Sequence, residues 1–179
     1  KGELSRFGIA AGEEIPEETV ETIRRDVVFK RAKLRAMHLL EDMDRTEAGL
    51  REKLRQGLYP EDAAEEAVRY VKSFGYLDDT RYAENFVRSR KDSKSRREIQ
   101  ALLLRKGISA DKIEAAFEAC YSEDEGGEEE AVRKILKKKR FSTENSDEAQ
   151  IQKMYACLAR KGFRYDTVRQ VIQNYHENA

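Results

Sequence analysis

The apolar residues of this chain recur at spacings of three and four, not two, along most of its length. Leu34, Met37, Leu40 and Met43 mark one helix face, Ala63, Ala67, Tyr70 and Val71 a second, and Ile113, Ala116, Phe117 and Cys120 a third. Leu, Ala, Glu, Lys and Arg, all good helix formers, fill the positions between them. The Gly-Leu-Tyr-Pro run at 57–60, Gly75 and Gly107 read as helix ends, with Pro60 suited to the first turn of a new helix. Residues 4–15, with Phe7, Ile9, Ala11 and Ile15 around Gly12, are expected to form a short extended strand pair. The fold class expected is all-α.

A segment also repeats. Leu54-Arg55-Gln56-Gly57-Leu58 returns as Leu104-Arg105-Lys106-Gly107-Ile108 and again as Ala159-Arg160-Lys161-Gly162-Phe163. The sixth and tenth positions after each glycine are apolar: Ala63 and Ala67, Ile113 and Phe117, Val168 and Ile172. A further short helix precedes each segment, marked by Ala36, Leu39 and Leu40, by Ala83, Phe86 and Val87, and by Val132, Ile135 and Leu136. One unit is therefore three helices with a glycine turn between the second and third. Glycine leaves the second helix in a left-handed conformation without a Cβ penalty, and the next apolar residue tucks back onto the helix end. Such short helices close a core only where their stripes converge, which predicts an elongated, curved array of three tandem helix-turn-helix-like repeats. The boundaries expected are a remnant N-terminal domain or linker over 1–27, repeats over 28–75, 76–121 and 131–179, and an acidic linker over 122–130. The start at Lys1 instead of Met suggests a fragment lacking its N-terminal portion.

Composition alone points away from an anionic partner, because 35 Lys+Arg cancel 35 Asp+Glu in 179 residues. Position changes that picture. Residues 1–23 carry net −4, 24–112 net +6, 113–130 net −8 and 131–140 net +6. Within 81–106 there are 9 basic and 3 acidic side chains. The apolar runs fall far short of the roughly 20 residues a membrane span needs, so no membrane partner is expected. Cys120 and Cys157 lie on apolar stripes and lack metal spacing, which suits a reduced, cytoplasmic compartment. His38 and His176 have no metal-ligand neighbours, Asp78-Asp79 read as a helix N-cap with a first-turn acid, and no phosphate loop is present. No enzyme, metal or cofactor site is expected.

Binding signals are stronger. Arg88, Arg90, Lys91, Lys94, Arg96 and Arg97 span the junction of the first two helices of the second unit. Helical spacing places Arg90, Lys94 and Arg97 on one face or turn junction suited to phosphates or carboxylates. Lys134, Lys137, Lys138, Lys139 and Arg140 end the first helix of the third unit. Favourable interaction with that helix C-terminus accounts for about two of these charges. The excess points to an anionic partner whose affinity falls steeply with salt. Tyr59, Tyr76, Tyr82, Tyr121, Phe163 and Tyr165 read as hinge and core anchors, since no aromatic interleaves the basic stretch 87–106.

The run Gly75-Tyr76-Leu77-Asp78-Asp79-Thr80-Arg81-Tyr82-Ala83, followed by Phe86-Val87-Arg88-Ser89-Arg90, resembles the central motif of the RecX regulatory proteins. Arg35-Ala36 with Leu39-Leu40, Arg45-Thr46-Glu47, and Leu50 with Lys53-Leu54 resemble the first repeat of that family. Lys94-Ser95-Arg96-Arg97 with Ile99, and Leu104 with Lys106-Gly107-Ile108, resemble the second. The match spans about residues 30–120, and the third unit follows the pattern with looser motifs. Ser95 stands where the family usually has glycine, and Gly49 and Ala101 where it has an acid.

The resemblance implies a non-enzymatic, monomeric modulator of the bacterial RecA recombinase. Such a protein binds the RecA–DNA filament, blocks its growth or promotes its disassembly, and so depresses ATP hydrolysis and strand exchange, tuning recombinational repair and the SOS response. Its implied partners are RecA and single-stranded or double-stranded DNA. The contact candidates are the two cation groups above with Arg81, while Gly75, Tyr76, Leu77, Asp78, Asp79 and Gly107 carry structural roles. Two other classes remain open. One is an autonomous DNA-binding helical-repeat protein, disfavoured because the third helices carry Glu61, Asp62, Glu65 and Glu66 or Asp111, Glu114 and Glu118. The other is a helical scaffold for a different protein.

Overall fold

The computed structural model describes residues 2–121, 127–143 and 146–175. All regular structure among them is helical. Contacts divide the chain into two compact units, Lys1–Asp78 and Asp79–Ala179.

In the first unit, α1 (Gly2–Arg6) and α2 (Glu17–Ile23) lead through a π-helical turn, Arg24–Val28, into α3 (Phe29–Asp42). The strand pair expected over 4–15 does not form: Leu4 lies in a helical turn and Ile15 in an irregular stretch, both exposed. A lone pair of short strands has no third strand or covering helix here to bury its apolar face. Then α4 (Glu47–Gln56) and α5 (Glu61–Ser73) complete a three-helix core. Ala32, Ala36, Leu50, Leu54, Ala63, Ala67 and Val71 are fully buried in it. Of the α3 face expected, Met37 and Leu40 pack partly buried on the core, while Leu34 and Met43 are 56% and 57% exposed. Alanines on α3 and α5 share the contact with Leu39, Val68 and Val71. Leu77, expected in the second repeat, is buried in this first core. Gly49 sits at the third position of α4, where its N–H donates to the Oγ1 of the N-cap Thr46 at 3.0 Å. A β-carbon there would press on that oxygen at 3.1 Å, which gives this glycine a local reason.

The second unit holds two further three-helix cores. α6 (Asp79–Arg90), α7 (Arg96–Arg105) and α8 (Ala110–Cys120) bury Ala83, Val87, Ile99, Leu103, Ile113 and Phe117. α9 (Gly127–Lys138), α10 (Glu148–Arg160) and α11 (Tyr165–Gln173) bury Val132, Leu136, Leu158, Val168 and Val171. Of the expected acidic linker, residues 122–126 lie outside the described residues, and Glu128, Glu129 and Glu130 form the first turn of α9. Acids at that end complement the helix dipole.

The repeat is real, but its first copy is shifted by one residue. The closing hydrogen bonds run from Tyr59 to Leu54, Ile108 to Leu103 and Phe163 to Leu158. Leu58, with φ +61°, is therefore the counterpart of Gly107 and Gly162, at +81° and +85°, and Gly57 is not. Leu58 is 91% exposed and gains no burial for its strain. A non-glycine residue in this region costs about 1–2 kcal/mol, partly offset in a glycine by its greater unfolded entropy. Leu58→Gly is expected to raise the melting temperature of the first unit by about 2–6 °C in a circular-dichroism melt. An unchanged or lower value would show that the turn is unstrained.

Candidate functional site

The first cation group lies where α6 turns into α7, and most of its members are already engaged. Arg88 reaches Glu84 at 2.8 Å along α6. The Arg90 guanidinium sits 3.9 Å from the Phe86 ring centre, and its Nη1 donates to Ser89 Oγ. Lys91 donates to the Cys120 carbonyl at 3.0 Å, closing the end of α8. Lys94 pairs with Glu98 at 3.2 Å. Arg96 bonds Glu114 at 2.7 Å and covers the Phe117 ring at 4.5 Å. Burial pushes the neighbouring Tyr121 hydroxyl up to about 12, so the ring beneath these cations stays neutral. Arg81 and Arg97 are exposed on α6 and α7. Arg90, Lys94 and Arg97 thus surround one helix–helix junction and do not share a helix face.

The same junction docks on the third repeat. Ser95 is fully buried, caps α7 by accepting the Glu98 N–H at 3.1 Å, and donates its own N–H to the Lys161 carbonyl at 3.1 Å. Lys161 returns a bond from its Nζ to the Ser93 carbonyl. Lys134 pairs with Asp92 at 2.8 Å, and Glu128 accepts the Arg96 backbone N–H at 3.1 Å. Ser95 is therefore a helix cap at a packed contact. Sequence reasoning had no signal for Asp92, Glu114, Glu128 or Lys161 as partners, since these pairs are between 18 and 68 residues apart.

Beyond Lys134, the second cation group faces outward. Lys137 and Lys138 end α9, and Lys139 and Arg140 follow it, all four exposed. Among the described residues no carboxylate is paired with them or with Arg97. Arg140 takes φ +50° at the turn that brings Phe141 back onto Leu136.

The motif residues run from the turn after α5 into α6. Gly75 takes φ +71° where the Tyr76 N–H returns to the Val71 carbonyl, Tyr76 is exposed against Phe74, and Asp78 is exposed. Asp79 is 5% exposed in the first turn of α6, 3.8 Å from Lys112. Two of the acids of α5 are taken up within their own repeat: Glu65 bonds Arg51 at 2.5 Å and Glu66 bonds Lys33 at 2.8 Å, and these bonds lower both carboxyl pKa values. Among the described residues no group of three His, Cys, Asp or Glu could hold a metal ion, and no helix is long and apolar enough to cross a membrane.

Three family models match in tandem: RecX, first three-helix domain, over residues 32–70, the second over 78–116, and the third over 127–172. A protein named Regulatory protein RecX from Clostridium perfringens is 31% identical over 180 residues, covering 98% of this chain and 82% of its own. Another of that name from Caldanaerobacter subterraneus is 32% identical over 167 residues, covering 93% and 81%. The crystal structure of RecX from Lactobacillus salivarius superposes with a TM-score of 0.64 at 25% identity, covering 82% of this chain and 96% of that one. A second crystal structure, of regulatory protein RecX, gives 0.69 at 25% identity over 96% and 86%. The chain belongs to the RecX family of regulatory proteins, with its three-helix domains in tandem.

Proposed function

We propose that this protein binds the RecA–DNA filament in the cytoplasm as a monomer, blocks its growth, and lowers its ATP hydrolysis and strand exchange. It would in this way tune recombinational repair and the SOS response without catalysing a reaction itself. The observation that carries the reading is a set of outward cations, Arg97 on α7 and Lys137, Lys138, Lys139 and Arg140 at the end of α9, paired with no carboxylate among the described residues of a chain whose net charge is zero. Internal pairing of Arg88, Lys94, Arg96 and Lys134 leaves those side chains to organise the surface, with a smaller share of contact. Several weak contacts from tandem repeats add through effective concentration on a filament of repeating protomers. Charge complementarity would fix their register.

The test follows RecA ATP hydrolysis on single-stranded DNA as the protein is added. Inhibition is expected, weakening with salt. Reversing charge at Arg97, Lys137 and Lys138 should raise the half-inhibiting concentration about tenfold, roughly 1.4 kcal/mol, with helix content unchanged. Absence of inhibition by the unaltered protein at every concentration sinks the reading. Tight, sequence-selective binding to DNA without RecA would favour an autonomous DNA-binding protein.

A further inference from the structure

Where α9 ends against α10, a cavity of about 350 Å³ opens with an apolar floor and a cationic rim. Phe141 and Met154, 6% and 9% exposed, form the floor with the half-buried Cys157 thiol. Lys139, Arg140 and Lys153 stand around it, all exposed. Gln150 also lines it. Its Oε1 accepts the Asp147 N–H in the α10 capping box, which leaves its Nε2 to donate elsewhere. Among the described residues no carboxylate lines this space. Arg140 holds a left-handed backbone that glycine adopts after α7 and α10. An arginine kept in that conformation on a cavity rim points to a use for its side chain.

We infer that this cavity docks a short acidic peptide segment of a protein partner. One apolar side chain of the segment settles on Phe141, Met154 and Cys157, and its flanking carboxylates meet Lys139, Arg140 and Lys153 in charge-assisted hydrogen bonds. The apolar floor distinguishes this occupant from a bare anion. Nucleic acid fits less well, because a base needs an exposed ring to stack on and the one ring in the lining, Phe141, is buried. The inference rests on the proposed filament contact at Lys139 and Arg140; it adds Lys153 to that surface and gives the partner a chemical identity.

Cys157 supplies the readout. Iodoacetamide alkylation of the full chain, followed residue by residue by mass spectrometry, measures the exposure of its thiol. Cys120 is an internal slow reference, since it is buried and burial pushes its thiol pKa up. The probe is a synthetic peptide of glutamates around one phenylalanine. At about four times its Kd, alkylation of Cys157 should slow about fivefold while Cys120 is unaffected. The double variant Lys139→Glu with Lys153→Glu, both exposed and without a role in the core, should lose that protection at unchanged helix content. Equal protection by a peptide with lysines in place of the glutamates overturns the inference. So does protection by oligothymidylate in its place, or no protection at low salt. Protection without inhibition of RecA removes the filament reading and keeps the peptide site; inhibition without protection does the reverse.

Discussion

Phe117→Ala is expected to destabilise the second unit by about 3–5 kcal/mol, the range for emptying a buried aromatic position. Phe117 is 1% exposed at the centre of the α6–α7–α8 core, 5.8 Å from the Tyr121 ring in an edge-on pair. It also lies under the Arg96 guanidinium, so its loss removes packing from below and a cation–π contact from above. With about 4–8 °C per kcal/mol for a unit of this size, the melting temperature should fall by at least about 12 °C. Hydrogen exchange should place the loss in α6–α8. Arg96, freed from its ring, keeps Glu114 at the surface, where such a pair contributes about 0–1 kcal/mol and cannot hold the junction alone. Phe117→Leu retains most of the volume and should cost much less. A Phe117→Ala variant that melts within a degree or two of the unaltered protein would mean that this ring is not the core of its repeat.

The stripe containing Phe117 was readable in the sequence because one whole face of α8, from Ile113 to Cys120, is buried on a single side. The face of α3 was readable only in part: Ala36 and Leu39 are buried and Met37 and Leu40 pack against the core, but large apolar residues mark a core only when nothing smaller fits better. There Ala32 and Ala36 are buried while Leu34 and Met43 face solvent. The one-residue shift at Gly57 has a similar origin. Sequence assigns the left-handed turn to the glycine, but the closing bond from Tyr59 to Leu54 places it on Leu58. The site was legible as charge and not as connectivity. Which cations would be paired depends on Asp92, Glu98 and Glu114, and two of these act across elements distant in the chain. Lys153 joins Lys139 and Arg140 only because α10 packs beside the end of α9.

Gly162, where the turn after α10 meets the start of α7, tolerates no side chain. At φ +85°, alanine would cost about 1–2 kcal/mol in any setting. Here its β-carbon would also lie 2.5 Å from Ser95 Oγ and 2.9 Å from Glu98 Cβ. The Ser95 hydroxyl is buried and the Glu98 contact is at the root of its side chain, so the first turn of α7 must shift. That movement threatens the Ser95–Lys161 and Lys161–Ser93 hydrogen bonds, each contributing about 0.5–1.5 kcal/mol. Gly162→Ala should therefore cost about 2–5 kcal/mol by denaturant unfolding, summing the backbone and contact terms. Gly75 is the control, because at φ +71° a β-carbon there meets nothing within 4 Å. Gly75→Ala should lose only the backbone share. Ser95→Gly alone should cost a few tenths of a kcal/mol, since glycine is a tolerable cap. Combined with Gly162→Ala it should restore about 1 kcal/mol, because the nearer of the two clashes is gone. If the two substitutions add without coupling, the second and third repeats do not meet at this turn. A positive coupling makes Ser95 and Gly162 a matched pair across two repeats.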